Sequence, residues 1–331
     1  MGRADELRLT RERWQTAAGK AAARQVVRQL LHGESPADGP YGRVRERVDL
    51  RGLPLGTIAS APDFMYRRIS VGRRRHLLAS ITGRKPGRWK TLDLSGADLT
   101  LMNWTDLTVE DCVFDDADLE GLRCWGVQVA CCSMRRAKLF DGQLGAAEEF
   151  WPTRSVWLDV DLSQADLRGA TAGTRFERVD FRTAKFRRTD FAWSDLVHCV
   201  FAGVVQGLTI GRRPIASRPS TWTLTDVDLT EARPRDLRLI GVDLGAVDVR
   251  LPEDAEHWHI PDWHAYLRRV TSLVAALQNG ETKTAAEVWL DYATKDTGPG
   301  QITGFVAAWD LTHLGGQDLL VLLDQARSSR S

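Results

Sequence analysis

The sequence predicts a mainly β solenoid with helical segments at its two ends. Three observations carry that expectation: an uncharged position at every fifth residue, columns of like residues at every twentieth, and helical spacing only outside the repeats. From Leu94 to Leu144 the fifth positions are Leu94, Leu99, Trp104, Val109, Phe114, Leu119, Cys124, Val129, Met134, Leu139 and Leu144. Two places before each stands a small or apolar residue, as at Leu92, Ala97, Met102, Leu107, Cys112 and Ala117. A helix repeats at about 3.6 residues and a strand at about 2.0, so neither holds this register for long. If each pentad forms one side of a square, four pentads close a turn and residues twenty apart lie above one another. Ala97, Ala117 and Ala137 then form one column, and Leu99, Leu119 and Leu139 another.

The period returns at Trp157, Leu162 and Leu167, slips by one residue near Ala172, and runs on through Phe176, Phe181, Phe186, Phe191, Leu196 and Phe201. A third block carries Leu224, Leu229, Leu239, Leu244 and Val249. The central phenylalanines are expected to make the most rigid part. The runs Ala97-Asp98-Leu99, Ala117-Asp118-Leu119, Ala165-Asp166-Leu167 and the looser Ala184-Lys185-Phe186 resemble the A(D/N)LXX motif of the pentapeptide-repeat family. That resemblance implies a right-handed quadrilateral β-helix with the central Leu or Phe and the preceding small residue buried. It covers roughly 92–144, 157–206 and 222–250, and Val48-Asp49-Leu50 marks an early coil.

The expected organisation is a basic helical segment over 1–47, the β-helix over 48–251, and a helical region over 252–331. The β-helix is interrupted by an irregular stretch at 59–90 and by loops at 145–156 and 211–221. In the head, Trp14, Ala17, Ala21, Val27 and Leu30 lie near helical spacing, Thr10 can cap the start, and Gly33 with Pro36 signals the stop. Downstream, Pro261-Asp262 opens a helix with Trp263, Leu267, Val270, Val274 and Leu277 on one face; further helical stretches follow near 284–294 and 319–323. In the family such C-terminal helices cap the rod and pair chains, which implies a homodimer.

Composition narrows the classes. At 43% hydrophobic and 27% charged the chain reads as globular rather than disordered or fibrous. No apolar run is long enough to cross a bilayer and the N-terminus lacks a signal-peptide core, so a cytoplasmic protein without membrane contact is expected. Five cysteines without CxxC spacing suggest neither a disulfide framework nor a four-thiolate zinc site. The net charge of +1 hides a basic head, +12 over residues 1–90, and an acidic middle, −8 over 91–149.

Because inward positions are committed to packing, function is sought on outward ones. Asp106, Glu110, Asp111, Asp115, Asp116, Asp118 and Glu120 are outward carboxylates in an interval free of Lys and Arg, a candidate anionic face. The family resemblance implies a reading for it: some members mimic DNA, bind a type II topoisomerase such as gyrase, and confer resistance to a topoisomerase poison. Electrostatically, a phosphate-binding saddle accepts any rigid array of negative charge. The competing reading is an ordinary solvated face. Arg175, Arg178, Arg182, Lys185, Arg187 and Arg188 form a basic stripe that departs from the mimic pattern, and direct nucleic-acid binding is not expected.

The loop residues Glu148, Glu149, Trp151, Arg212 and Arg213 are candidate recognition positions for a scaffold or regulator that binds another protein through loops and helices. A third class, a metal- or small-ligand-binding protein or enzyme, would centre on His257, His259 and His264, though these have no established metalloenzyme spacing and can equally pack over the last coil. Cys112 and Cys132 are expected to stack inside, with Cys131 facing out. No nucleophile triad or phosphate loop is found, so a non-enzymatic protein without cofactor is the expected class.

Overall fold

A computed structural model describes residues 2–59, 69–72, 87–146, 153–211, 223–298 and 300–328. Its centre is a four-sided parallel coil. On the first side, seven strands stack from Gly87–Lys90 to Leu224–Thr225. Strands are about 4.8 Å apart in the pairing direction, which makes the stack roughly 29 Å long. Trp89, Val109, Val129, Trp157, Phe176, Leu196 and Leu224 follow one another in register on this side. On the third side, Pro54, Asp98, Asp118, Asp166 and Lys185 belong to one ladder, with Lys138 between Asp118 and Asp166. The fold is a quadrilateral β-helix.

The corners explain the period of five. Thr91, Asp111, Cys131, Asp159, Arg178, His198 and Asp226 form one corner column, every φ between +50° and +56°. A neighbouring column holds Gly96, Asp116, Arg136, Gln164, Thr183 and Gly203, again at positive φ. Left-handed backbone is disfavoured for residues with a Cβ, so the turn persists only because the coils above and below fix it. The Asp of the repeat helps at the next step. The carboxylates of Asp98, Asp118, Asp166, Asp180 and Asp228 each accept the backbone N–H two residues on. This local bond favours a turn over a continued strand.

Inside the square, Ala97, Ala117, Ala137, Leu99, Leu119 and Leu139 are fully buried, and Phe176, Phe181, Phe186 and Phe191 form the aromatic layer. Phe181 stacks on Phe201 with ring centroids 4.7 Å apart. The register runs at twenty residues per coil, as in Thr108 with Gln128. It widens between Gln128 and Val156, narrows between Val156 and Arg175, and widens again between Leu196 and Leu224.

Within the stretch expected to be irregular, Ile69–Gly72 pairs in register with Met102–Thr105, and Gly87–Lys90 with Leu107–Glu110. The coil therefore extends upstream on both sides of 73–86. The five-residue spacing is concealed there because the first coil has few neighbours to repeat.

The basic end is closed by helices α1 (Arg3–Glu12) and α2 (Ala17–Leu31). Ala23, Val26, Val27 and Leu30 of α2 share one core with the coils, and Trp89 Nε1 donates to the Leu30 carbonyl at 3.1 Å. Thr10 is not a cap. It lies within α1 and its hydroxyl donates to Leu7 O, whereas Thr16 caps α2 by accepting the Gly19 N–H. Arg13 clamps the buried Asp49 with contacts of 2.6 and 2.8 Å, and Arg51 joins from the other side. Burial raises the Asp49 pKa, but the hydrogen bonds from Arg13 and Arg51 outweigh it and hold the carboxyl far below its ordinary range. A short helix, α3 (Leu55–Ala59), follows the early coil.

At the other end, α4 (Trp263–Ala276), α5 (Glu281–Asp296) and α6 (Ala308–Ser328, kinked at Gly315 and Gly316) build a second core around Tyr266, Val270, Leu311 and Leu323. Asp262 caps α4 by accepting the Ala265 N–H at 2.8 Å. His257–Ile260 pairs antiparallel with Gly304–Ala307, a connection the five-residue pattern does not foretell. No described helix is long and apolar enough to cross a membrane.

Two measurements test this account. Thr183 is β-branched at φ +56°; Thr183→Asn, which tolerates that region, is expected to raise stability by about 0.5–1 kcal/mol in urea unfolding. Arg13→Met is expected to lower it by about 2–4 kcal/mol at pH 7, since Asp49 keeps only Arg51. Because the folded Asp49 pKa is depressed, its contribution is complete above about pH 4 and declines as pH falls towards the folded value. The difference between wild type and variant should therefore narrow on acidification below about pH 4.

Candidate functional site

The outward carboxylates of 106–120 do not form a bare anionic face. Arg88 and Lys90 bind Glu110, Arg47 binds Asp111, and Arg3 and Arg136 bind Asp116. Arg136 also approaches Asp115 at 3.6 Å, and Lys138 binds Asp118 at 2.9 Å. At least five of the seven residues thus carry a cation. Hydrogen bonds from Arg88 and Lys90 hold Glu110 below the usual carboxylate range. These counter-ions have a physical origin. The sequence interval lacks Lys and Arg, but neighbours across the coils are about twenty residues away and are basic.

The basic stripe is balanced in the same manner. Arg175 binds Glu177 at 3.0 Å, Arg178 binds Asp159 at 2.6 Å, and Arg182 binds Asp180 at 2.5 Å. Lys185, Arg187 and Arg188 are exposed. Exposed pairs of this kind contribute about 0–1 kcal/mol each, so their main effect is to flatten the surface potential.

Glu148, Glu149, Trp151, Arg212 and Arg213 lie outside the described residues. Their flanks are informative. Residues 73–86 lie between Ile69–Gly72 and Gly87–Lys90, residues 147–152 between Gln143–Leu144 and Ser155–Asp161, and residues 212–222 between Leu208–Gly211 and Leu224–Thr225. In each case the strand before belongs to the fourth side and the strand after to the first. The described coil breaks off and resumes at one edge, before the first, fourth and seventh strands of the first side. Successive departures are therefore three strand spacings apart, about 14 Å.

The histidines are not brought together around a common point. His257 Nδ1 lies 2.7 Å from Asp254 Oδ1, and His259 Nε2 lies 3.1 Å from Pro252 O. Both rings contact Phe305, and His264 is an exposed residue of α4. Among the described residues no group of three His, Cys, Asp or Glu side chains is placed to hold a metal ion. Cys112 and Cys132 are buried and Cys131 is exposed. Burial raises the Cys132 thiol well above its ordinary range, and burial followed by the nearby Asp159 raises Cys131. Sequence reasoning missed a cavity between the last coil and α4–α6, because its walls come from residues about sixty apart whose apolar spacing looks like ordinary core.

The geometry defines a β-helical repeat protein, and residues 172–203 match the family model for pentapeptide repeats in eight copies. That stretch of the coil is a run of pentapeptide repeats. No curated protein matches it. Among solved structures it is similar to QnrB1, a plasmid-mediated fluoroquinolone resistance protein, at 16% identity over 51% of this chain and 83% of that one, with a TM-score of 0.33. It is also similar to HetL, a pentapeptide repeat protein involved in heterocyst differentiation regulation from the cyanobacterium Nostoc, at 16% identity over 53% and 97%, TM-score 0.19. A third, Rfr23 from the cyanobacterium Cyanothece, shares 13% identity over 62% and 88%, TM-score 0.18.

If the cross-coil pairs neutralise rather than stabilise, the double variant Arg136→Gln, Lys138→Gln should lose no more than about 2 kcal/mol in urea unfolding while moving further towards the anode in native electrophoresis. A larger loss would assign these pairs a structural role.

Proposed function

We propose that this chain is a non-enzymatic interaction protein that engages a protein partner along the edge from which 73–86, 147–152 and 212–222 depart. The observation that carries this reading is the regular placement of those departures on one edge of a stiff coil. Recognition residues concentrate on segments that leave a rigid scaffold. In this reading Glu148, Glu149, Trp151, Arg212 and Arg213 supply contacts, and no cofactor takes part. A homodimer through α5 and α6, whose Val288, Tyr292, Leu314 and Val321 are exposed, belongs to the same proposal and is tested by light scattering.

The family resemblance makes a type II topoisomerase, gyrase in particular, the first partner to assay. DNA mimicry through Asp106, Glu110, Asp111, Asp115, Asp116, Asp118 and Glu120 needs charge free to meet a phosphate-binding saddle. The cations on five of these weigh against that route, so contact is assigned to the edge instead.

The test is a supercoiling and cleavage assay with purified gyrase, with and without a quinolone. Micromolar wild-type protein should alter supercoiling or drug-stabilised cleavage. Replacing 147–152 and 212–222 with short Gly-Ser links should remove the effect, whereas Asp115→Asn with Asp118→Asn should leave it. Unchanged gyrase activity at micromolar protein excludes this partner. Loss with the carboxylate variant alone would restore the mimic route.

A further inference from the structure

The C-terminal end of the coil is incompletely filled. Leu237, Leu239 and Leu244, at inward positions of the last turn, are only partly buried, while the corresponding residues of the middle turns are fully buried. Between these leucines and the terminal helices lies a cavity of about 600 Å³. Its opposite wall is aromatic, with Trp289 and Tyr292 from α5, Phe305, and Trp309 from α6. Such a volume with apolar walls and a few convergent polar groups matches a small-molecule site.

The charges in the cavity are unequal. Arg238 is taken up by Asp296 through contacts of 2.6 and 2.8 Å. Asp310 accepts the backbone N–H of Asp236 at 2.6 Å. Neither Asp236 nor Asp310 forms a Lys or Arg ion pair among the described residues. His313 lies flat against Trp309, with ring centroids 4.7 Å apart, and Arg235 sits over the Trp309 ring at 5.1 Å. The lining itself therefore holds three carboxylates and one guanidinium, next to indole and phenol faces, with the Arg235 guanidinium on the Trp309 ring beside it. Burial pushes the Asp310 carboxyl up to about 6, opposed by the Asp236 N–H, as expected of a carboxylate short of a counter-charge.

We propose that this cavity binds a flat organic cation, an apolar amine of metabolite size, with its charged nitrogen at Asp236 and Asp310. Its body lies between Leu237, Leu239 and Leu244 on one side and the aromatic wall on the other. The carboxylates supply charge-assisted hydrogen bonds and the rings supply cation–π attraction. An organic anion of similar size meets the same walls with the wrong sign. The site is separate from the proposed interaction edge and stands without it, although Tyr292 and Leu314 of its lining also belong to the proposed dimer face.

The test uses the full chain and two dyes, cationic proflavine and anionic anilinonaphthalene sulfonate, in fluorescence titrations checked by equilibrium dialysis. Proflavine should bind saturably, one per chain, and more tightly than the anion. Asp310→Asn keeps an oxygen to accept the Asp236 N–H but removes the charge, and should weaken proflavine about tenfold or more. Leu239→Trp, which fills the cavity floor, should abolish binding. Circular dichroism checks each variant, and Asp236→Asn at the exposed mouth replaces Asp310→Asn if the latter does not fold. No saturable proflavine binding, equal affinity in the folded carboxylate variant, or equal binding of the anion would overturn the proposal.

Discussion

Backbone pairing between successive coils is the constraint from which the rest of the molecule follows. Each residue of a column must share its neighbours' dihedral angles, so one turn conformation propagates along a corner from Thr91 to Asp226 whatever the side chain. Asp, Cys, Arg, His and Thr all take the left-handed conformation there, against their own preference. The stack outweighs this local cost because a break at one corner would misplace both inward residues of the next pentad. Changes in length are consequently confined. The three breaks in the described coil fall at the same edge, and the slip between Val156 and Arg175 shortens a coil by one residue without turning Phe176 out of the core.

The same stacking decides the electrostatics. Like charges placed directly across a parallel pair repel, so a column of aspartates cannot grow indefinitely. After Pro54 the third side runs through Asp98 and Asp118, meets Lys138, and alternates through Asp166 and Lys185. The repeat Asp has a structural task in accepting the N–H two residues on, and that task recruits acid to several coils. Basic residues one coil away restore balance. Clustering of charge along the chain and clustering in space are thus different properties in a solenoid.

That difference sets what could be read from the sequence. Columns at twenty residues were legible because each inward position is uncharged and repeats many times; Leu99, Leu119 and Leu139 need no structure to be aligned. The terminal helices were legible from their spacing, although the cap at Thr16 was not, since Thr10 satisfies the same local pattern. The strand Ile69–Gly72 escaped notice because a single copy has no period. The partners of Asp111 and Asp116 escaped for another reason: Arg47 and Arg3 lie outside the repeat, and only the closing of the early coil and the docking of α1 bring them near. The cavity was the least legible. It exists where Leu237 and Leu239 lack the neighbours that every earlier coil supplies.

The two ends show why. A repeating coil exposes an apolar cross-section at each terminus, and something unlike the repeat must cover it. At the basic end α2 inserts Val27 and Leu30 directly into the coil core, and the buried Arg13–Asp49 contact fixes the approach. At the other end the helices form a core of their own around Tyr266 and Leu323, and the C-terminal region meets the last coil through Phe305 and through polar contacts. Arg238 binds Asp296, the Thr303 hydroxyl donates to Asp243, and Asp310 accepts from Asp236. A cover that is self-sufficient need not interlock with what it covers. Polar contacts at the rim then hold the helices apart from Leu239, and the space between becomes a cavity rather than a continuation of the core.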